Sequence, residues 1–207
     1  MAPPACEFQP MRQSFIDMLK DRLDTLPEKS DIFVALTIHG MPWDQMRYDA
    51  WNTFGPIYTE KLLQEVKELI AKYNFNRTDA VLCQFNFADD ESDPKQKYLS
   101  ANEAYWQAIN AGYDSVISMP IEFYAENTDS MLTFPMEQYE NFEQYNVYEP
   151  ISYPDWTVPY TREMVQGKTK VIYNGVPVGK YQHYVIDAYY QSIDSILSQG
   201  RIADNEI

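Results

Sequence analysis

The sequence predicts an α/β domain of three layers, a parallel sheet with helices on both sides. Two observations carry this. Three near-continuous apolar runs rich in β-branched residues, "DIFVALTIHG" (31–40), "DAVLCQFNF" (79–87) and "DSVISMPI" (114–121), read as strands buried on both faces. Segments with apolar residues at helical spacing lie before, between and after them. Such alternation with short connections requires parallel strands joined by right-handed crossovers.

The elements follow in order. Met11, Phe15, Met18, Leu19, Leu23 and Leu26 mark a first helix over 11–26, and Pro27 stops it. After the first strand, Ile57, Leu62, Val66, Leu69, Ile70 and Tyr73 mark a second helix over 57–73. The second strand runs into an acidic loop, "ADDESDPKQ". Ser100-Ala-Asn-Glu103 is a capping box that opens a third helix to about Ala111, and Gly112 ends it. The third strand comes next. Residues 1–133 therefore form an α/β lobe.

From 134 to 207 the pattern changes. "FPMEQYENFEQYNVYEPISYPDWTVPY" is dense in Tyr, Pro and acid and has no period. It reads as an ordered extension packed on the same domain. Asn174-Gly175 lies between apolar runs and signals a hairpin turn. Val185, Ile186, Tyr189, Ile193 and Ile196 mark a last helix ending near Gly200.

Charge and composition exclude several functions. Acids number 31 against 16 bases, a net charge of −15, which repels nucleic acid and anionic membrane surfaces. Cys6 and Cys83 are the only cysteines, so a zinc or iron–sulfur site built on cysteine is not expected. The start "MAPPACEFQP" lacks the features of a signal peptide, and no window has the roughly 18 apolar residues of a transmembrane helix. A cytoplasmic setting is expected. Only 7 glycines are present, with no Gly-rich phosphate loop and no GxSxG elbow.

Open parallel sheets bind ligands beyond the carboxyl ends of their strands. That rim would carry His39, Gln84, Asp89, Asp90, Glu91, Glu122, Glu126 and Asp129. One imidazole among carboxylates suits two tasks, holding a divalent cation and passing protons near neutral pH. A strand-end histidine and a solvated acidic loop also serve structure alone, so composition leaves both readings open.

A resemblance sharpens the first reading. "LTIHGMPWDQMRYDAW" resembles the ferrochelatase segment in which a strand ends in His-Gly or His-Ser, one residue, then Pro. "VLCQFNFADDESDPKQKYL" resembles the family's Phe-Gln-Ser strand, with Gln84 in the glutamine position. "VISMPIEFYAENTDSML" resembles Pro-x-Gly-Phe-x-x-Asp-x-x-Glu-Thr-Leu. Pro120, Phe123, Glu126, Asp129, Ser130 and Met131 fall on its Pro, Phe, Asp, Glu, Thr and Leu. The similarity spans roughly residues 31 to 133 and corresponds to the carboxyl-terminal lobe of a two-lobed enzyme.

The resemblance implies insertion of ferrous iron, or a similar divalent ion, into a tetrapyrrole, with no cofactor beyond that substrate metal. His39 and Asp129 would be the catalytic pair. His39, Glu126 and Asp129 would perch the metal. Met41, Trp43, Gln84 and Phe123 would hold the macrocycle, with Trp51 and Phe54 as further walls. Some class II chelatases use two histidines, so His183, the only other imidazole, is a possible second ligand. A lone lobe implies a homodimer or pairing with another lobe. The departures are specific. Asp129 is one methylene shorter than the family glutamate, Glu122 replaces a glycine, and Gly-Asp-Pro-Tyr after the histidine is not recognisable. The alternatives are a non-catalytic carrier of heme, another tetrapyrrole or metal, and an interaction subunit of a larger assembly.

Overall fold

The structure is a computed structural model that describes residues 5–39, 50–85, 98–125, 127, 129–139, 142 and 157–204. For residues 39, 50–57, 129, 137 and 199–204 it describes the backbone alone. The elements run α1 (Gln9–Leu23), β1 (Asp31–His39), α2 (Ala50–Ile70), β2 (Arg77–Phe85), β3 (Leu99–Ser100), α3 (Ala101–Asn110), β4 (Ser115–Pro120), α4 (Phe134–Tyr139), β5 (Thr161–Gln166), β6 (Thr169–Asn174) and α5 (Gln182–Asp204). The fold is a three-layer α/β arrangement. Its six-stranded sheet has the order β3-β2-β1-β4-β6-β5. Neighbours are parallel except β5 and β6.

The topology follows from how the chain lays strands down. It starts with β1, adds β2 and β3 on one side, then returns to place β4 on the other. Right-handed crossovers leaving in opposite directions send their helices to opposite faces. Leu62 and Val66 of α2 accordingly share one core with Phe15 and Leu19 of α1, Ala188 of α5, and Val34 and Leu36 of β1. Ala104, Tyr105 and Ala108 of α3 share the other with Phe33 and Ala35 of β1 and with Phe134 and Tyr139 of α4. Consecutive β1 residues thus feed alternate cores, which is why the strand has no polar face. Between Ser100 and Glu103 the capping box closes in both directions: Ser100 N–H donates to Glu103 Oε2 at 3.0 Å, and Glu103 N–H to Ser100 Oγ at 3.2 Å.

Several boundaries differ from the expected ones. α2 begins at Ala50 rather than Ile57, its backbone already helical through Gly55-Pro56. α5 continues past Gly200 to Asp204. The hairpin turns at Gly167-Lys168, not at Asn174-Gly175. Gln166 pairs with Thr169, and Gly167 has φ 61, which suits the first central position of a type II′ turn. Asn174 is instead the last residue of β6, paired with Thr161. The expected break at 133 falls within continuous helical backbone, where a π turn over Asp129–Thr133 passes into α4. Beyond it, β6 joins the sheet beside β4, and Tyr181 and Tyr184 donate to Asp21 and Asp17 of α1 at 2.6 and 2.7 Å. No helix among the described residues is long and apolar enough to cross a membrane.

Candidate functional site

The reversal of strand addition between β1 and β4 makes a switch point, where open α/β sheets leave a crevice at their carboxyl edge. β1 ends there with His39, in register with Phe85, the last residue of β2. Thr37 is in register with Pro120, the last residue of β4. Its hydroxyl donates to Met119 O at 3.0 Å, and its carbonyl accepts from Ile121 N–H at 3.0 Å. The chain therefore leaves β4 still fastened to β1, which fixes where the 121–133 segment starts.

Two sets of contacts hold that segment. On the α1–α2 side, Tyr58 of α2 donates its hydroxyl to Ile121 O at 2.7 Å. The ring of Tyr124 meets those of Phe15 and Tyr58 edge-on, at 6.3 and 6.4 Å. Burial pushes the Tyr58 and Tyr124 hydroxyls well above the usual tyrosine value, and the nearby charge of Glu122 adds to it. Both hydroxyls stay protonated at any physiological pH. Burial also raises the Cys6 thiol beside them.

On the other side Asn127 and Ser130 cap each other. Asn127 N–H donates to Ser130 Oγ at 3.0 Å, and Ser130 N–H donates to Asn127 Oδ1 at 2.9 Å. This is a capping box with Asn and Ser in the two roles. Tyr173 of β6 then donates its hydroxyl to Ser130 O at 2.6 Å. The backbone of Asp129, one residue before Ser130, is held by a cap and a cross-brace. π turns are rare and recur at functional sites.

An aromatic wall adjoins the strand ends. Phe85 stacks on Phe134 with centroids 4.2 Å apart and planes 5° from parallel. Phe123 meets Phe134 edge-on at 5.1 Å and 72°. Phe85 and Phe134 are sealed in the core, while Phe123 is half-buried and presents surface. Gln84 is 4% exposed and follows Ala80 and Leu82 along the opposite face of β2.

The structure therefore places Gln84, Phe123 and the backbones of His39 and Asp129 at one edge of the sheet. The side chains of His39 and Asp129 lie outside what is described, as do Met41, Trp43, Asp89, Asp90, Glu91 and Glu126, and the side chains of Trp51 and Phe54. Among the described residues no group of three or more His, Cys, Asp or Glu is placed to hold a metal ion. His183 sits exposed on the first turn of α5, its Nδ1 2.8 Å from Lys180 O and its ring against Tyr184. None of its described contacts reaches the rim. Sequence reasoning overlooked Phe85, Phe134, Tyr58 and Asn127. Of these only Asn127 left a readable signal, the Asn-x-x-Ser spacing.

A separate cleft of about 260 Å³ lies between α1 and the end of the hairpin, lined by Asp21, Arg22, Val158, Asn174 and Tyr181 among others. Its charges are already paired. Arg22 donates to Glu163 at 3.1 Å, and Asp21 accepts from Tyr181 at 2.6 Å and pairs with Lys180. These pairings hold Asp21 below the usual carboxylate value. The rim is therefore the stronger candidate. Comparison of the sequence with models of known families and with curated protein sequences finds no match to either.

Proposed function

We propose that the chain is a ferrochelatase-like lobe that inserts ferrous iron, or a similar divalent ion, into a tetrapyrrole at the carboxyl rim of the sheet. The supporting observation is the position of His39 at the end of the central strand, at the switch point, in register with Phe85 and its aromatic stack. Metal insertion exchanges two pyrrole N–H protons for one dication, so the site needs a base that titrates near neutral pH. The neutral imidazole of His39 accepts a proton or presents the metal. Asp129 and Glu126 are its carboxylate partners, and the braced backbone around Asp129 sets where that carboxylate starts. Gln84 stands at the same strand end on the face opposite Phe85, so its part in orienting the site runs through the backbone of β2. Phe123, with Met41 and Trp43, packs against the macrocycle, which needs apolar walls. No nucleotide or redox cofactor is required. A second copy or another chain supplies the facing lobe.

One observation favours a carrier as the second reading. Asp129 is one methylene shorter than the glutamate it stands for, which shortens its reach to a metal. Anaerobic mixing with protoporphyrin and ferrous or zinc ion, followed by absorbance, separates the two. Metalation that His39→Ala slows by about 10²–10⁴-fold supports insertion. A Soret shift with heme and no metalation supports the carrier. No response to any tetrapyrrole overturns both.

A further inference from the structure

One surface is at odds with a solitary chain. On α5, Ile186, Tyr189, Tyr190, Ile193, Ile196 and Leu197 are between 47 and 68% exposed. At 100° per residue these six fall within a stripe about 120° wide. Val185 and Ala188 face inward, to the core beneath α1. Asp187, Gln191, Asp194 and Ser198 fall on a third sector, away from both. The helix thus has an inner apolar face, a polar face and a second apolar face that no described residue covers.

We infer that this second face is the interface with another copy of the same chain, packed antiparallel across a two-fold axis. Three observations select that occupant. First, Ile186, Tyr189, Ile193 and Ile196 alternate in steps of three and four, the spacing of a coiled-coil seam. A two-fold axis passing through the stripe at the height of residue 191 sets Ile186 opposite Ile196 and Tyr189 opposite Ile193, so the stripe is complementary to itself. Second, the area suffices. Side chains of this size, half exposed, leave on the order of 500 Å² of apolar surface, near the most a monomer keeps bare. Two such stripes give about 1,000 Å² before their polar flanks, the lower bound for a specific interface. Third, charge is absent from the stripe. Two chains of −15 meet here without bringing Asp187 or Asp194 to the seam. The same acidic flank argues against a membrane surface, which takes amphipathic helices with basic polar faces. The inference does not rest on the metal-insertion reading.

Sedimentation equilibrium of the chain up to about 100 µM tests it, since mass action reveals even a moderate dimer. The expected mass is twice 24.2 kDa. Ile193→Glu and, separately, Ile186→Glu are expected to weaken association at least about tenfold with unchanged circular dichroism, because both side chains are exposed in the monomer. Chains carrying Tyr189→Cys and Ile193→Cys are expected to cross-link when mixed, and Ile193→Cys alone is not. A wild-type monomer at about 100 µM, a dimer that survives both glutamates, or a glutamate variant that unfolds overturns the interface. Cross-linking of Ile193→Cys with itself overturns the antiparallel register.

Discussion

Tyr173→Phe removes one hydroxyl from the core and nothing else. In the native chain that hydroxyl donates to Ser130 O at 2.6 Å, and both residues are fully buried. The ring and its contact with Tyr160 remain. A buried hydrogen bond contributes about 1 kcal/mol net, and a carbonyl left without its donor costs about 1–3 kcal/mol. These two figures describe one loss and are not summed, and about 2 kcal/mol is expected, the middle of the second range. For a chain of this size each kcal/mol lowers Tm by roughly 2–4 °C, so a fall of about 4–8 °C is expected. Thermal melts by circular dichroism read it. Urea titration should give a lower midpoint with an unchanged m value, since little surface is altered. Asn127→Ala removes the cap from the same turn, and the double variant should be non-additive by about 0.5 kcal/mol or more. A Tm drop under about 1 °C, or strict additivity, would show that cap and brace do not act on one structure.

Alkali should unfold the protein. Burial raises Tyr58, Tyr105 and Tyr124 above 10.0 and Cys83 above 9.0, so the native state keeps protons that the unfolded chain releases. Stability is then fully present below about pH 9 and falls above it, by about 1.4 kcal/mol per pH unit for each such group. A Tm that stays level from about pH 7 to 11 would contradict this. Two glycines should respond differently to alanine. Gly167 and Gly179 have φ 61 and 60, but only at Gly179 would a Cβ strike backbone, that of Thr157. Gly167→Ala should cost about 1–2 kcal/mol for the left-handed backbone alone, and Gly179→Ala clearly more. Equal losses in urea titrations would refute the contact.

The central strands were legible because they are buried on both sides, so β1, β2 and β4 read as apolar runs whatever their neighbours. The Ser100–Glu103 cap was legible because its two partners are three residues apart. α4 was not, since six residues from Phe134 to Tyr139 are too few to show a period, and the segment is helical because Phe134 and Tyr139 are core residues. β5 was hidden for the opposite reason. It is an edge strand, and along Thr161-Arg-Glu-Met-Val-Gln166 no residue is fully buried, with Glu163 and Val165 exposed. The hairpin signal at Asn174-Gly175 misled because that pair follows a strand rather than joining two. Of the site, the strand-end position of His39 came from one run and its alternation with helices. The Phe85–Phe134 stack joins residues 49 positions apart, and nothing local announces it.

A sheet of this kind can keep growing wherever a long, bare strand waits at its margin. Here neither margin invites that. On one, among the described residues, β3 is two residues long and pairs only with Cys83 and Gln84 of β2, and the uncovered start of β2 carries Arg77, paired with Asp31 at 3.0 Å, and Asp79. Along the other, Glu163 of β5 is tied to Arg22 at 3.1 Å and Lys170 at 3.0 Å, leaving a charged fringe. Concentrated solutions of the folded chain should therefore stay free of fibrils and dark to amyloid dyes.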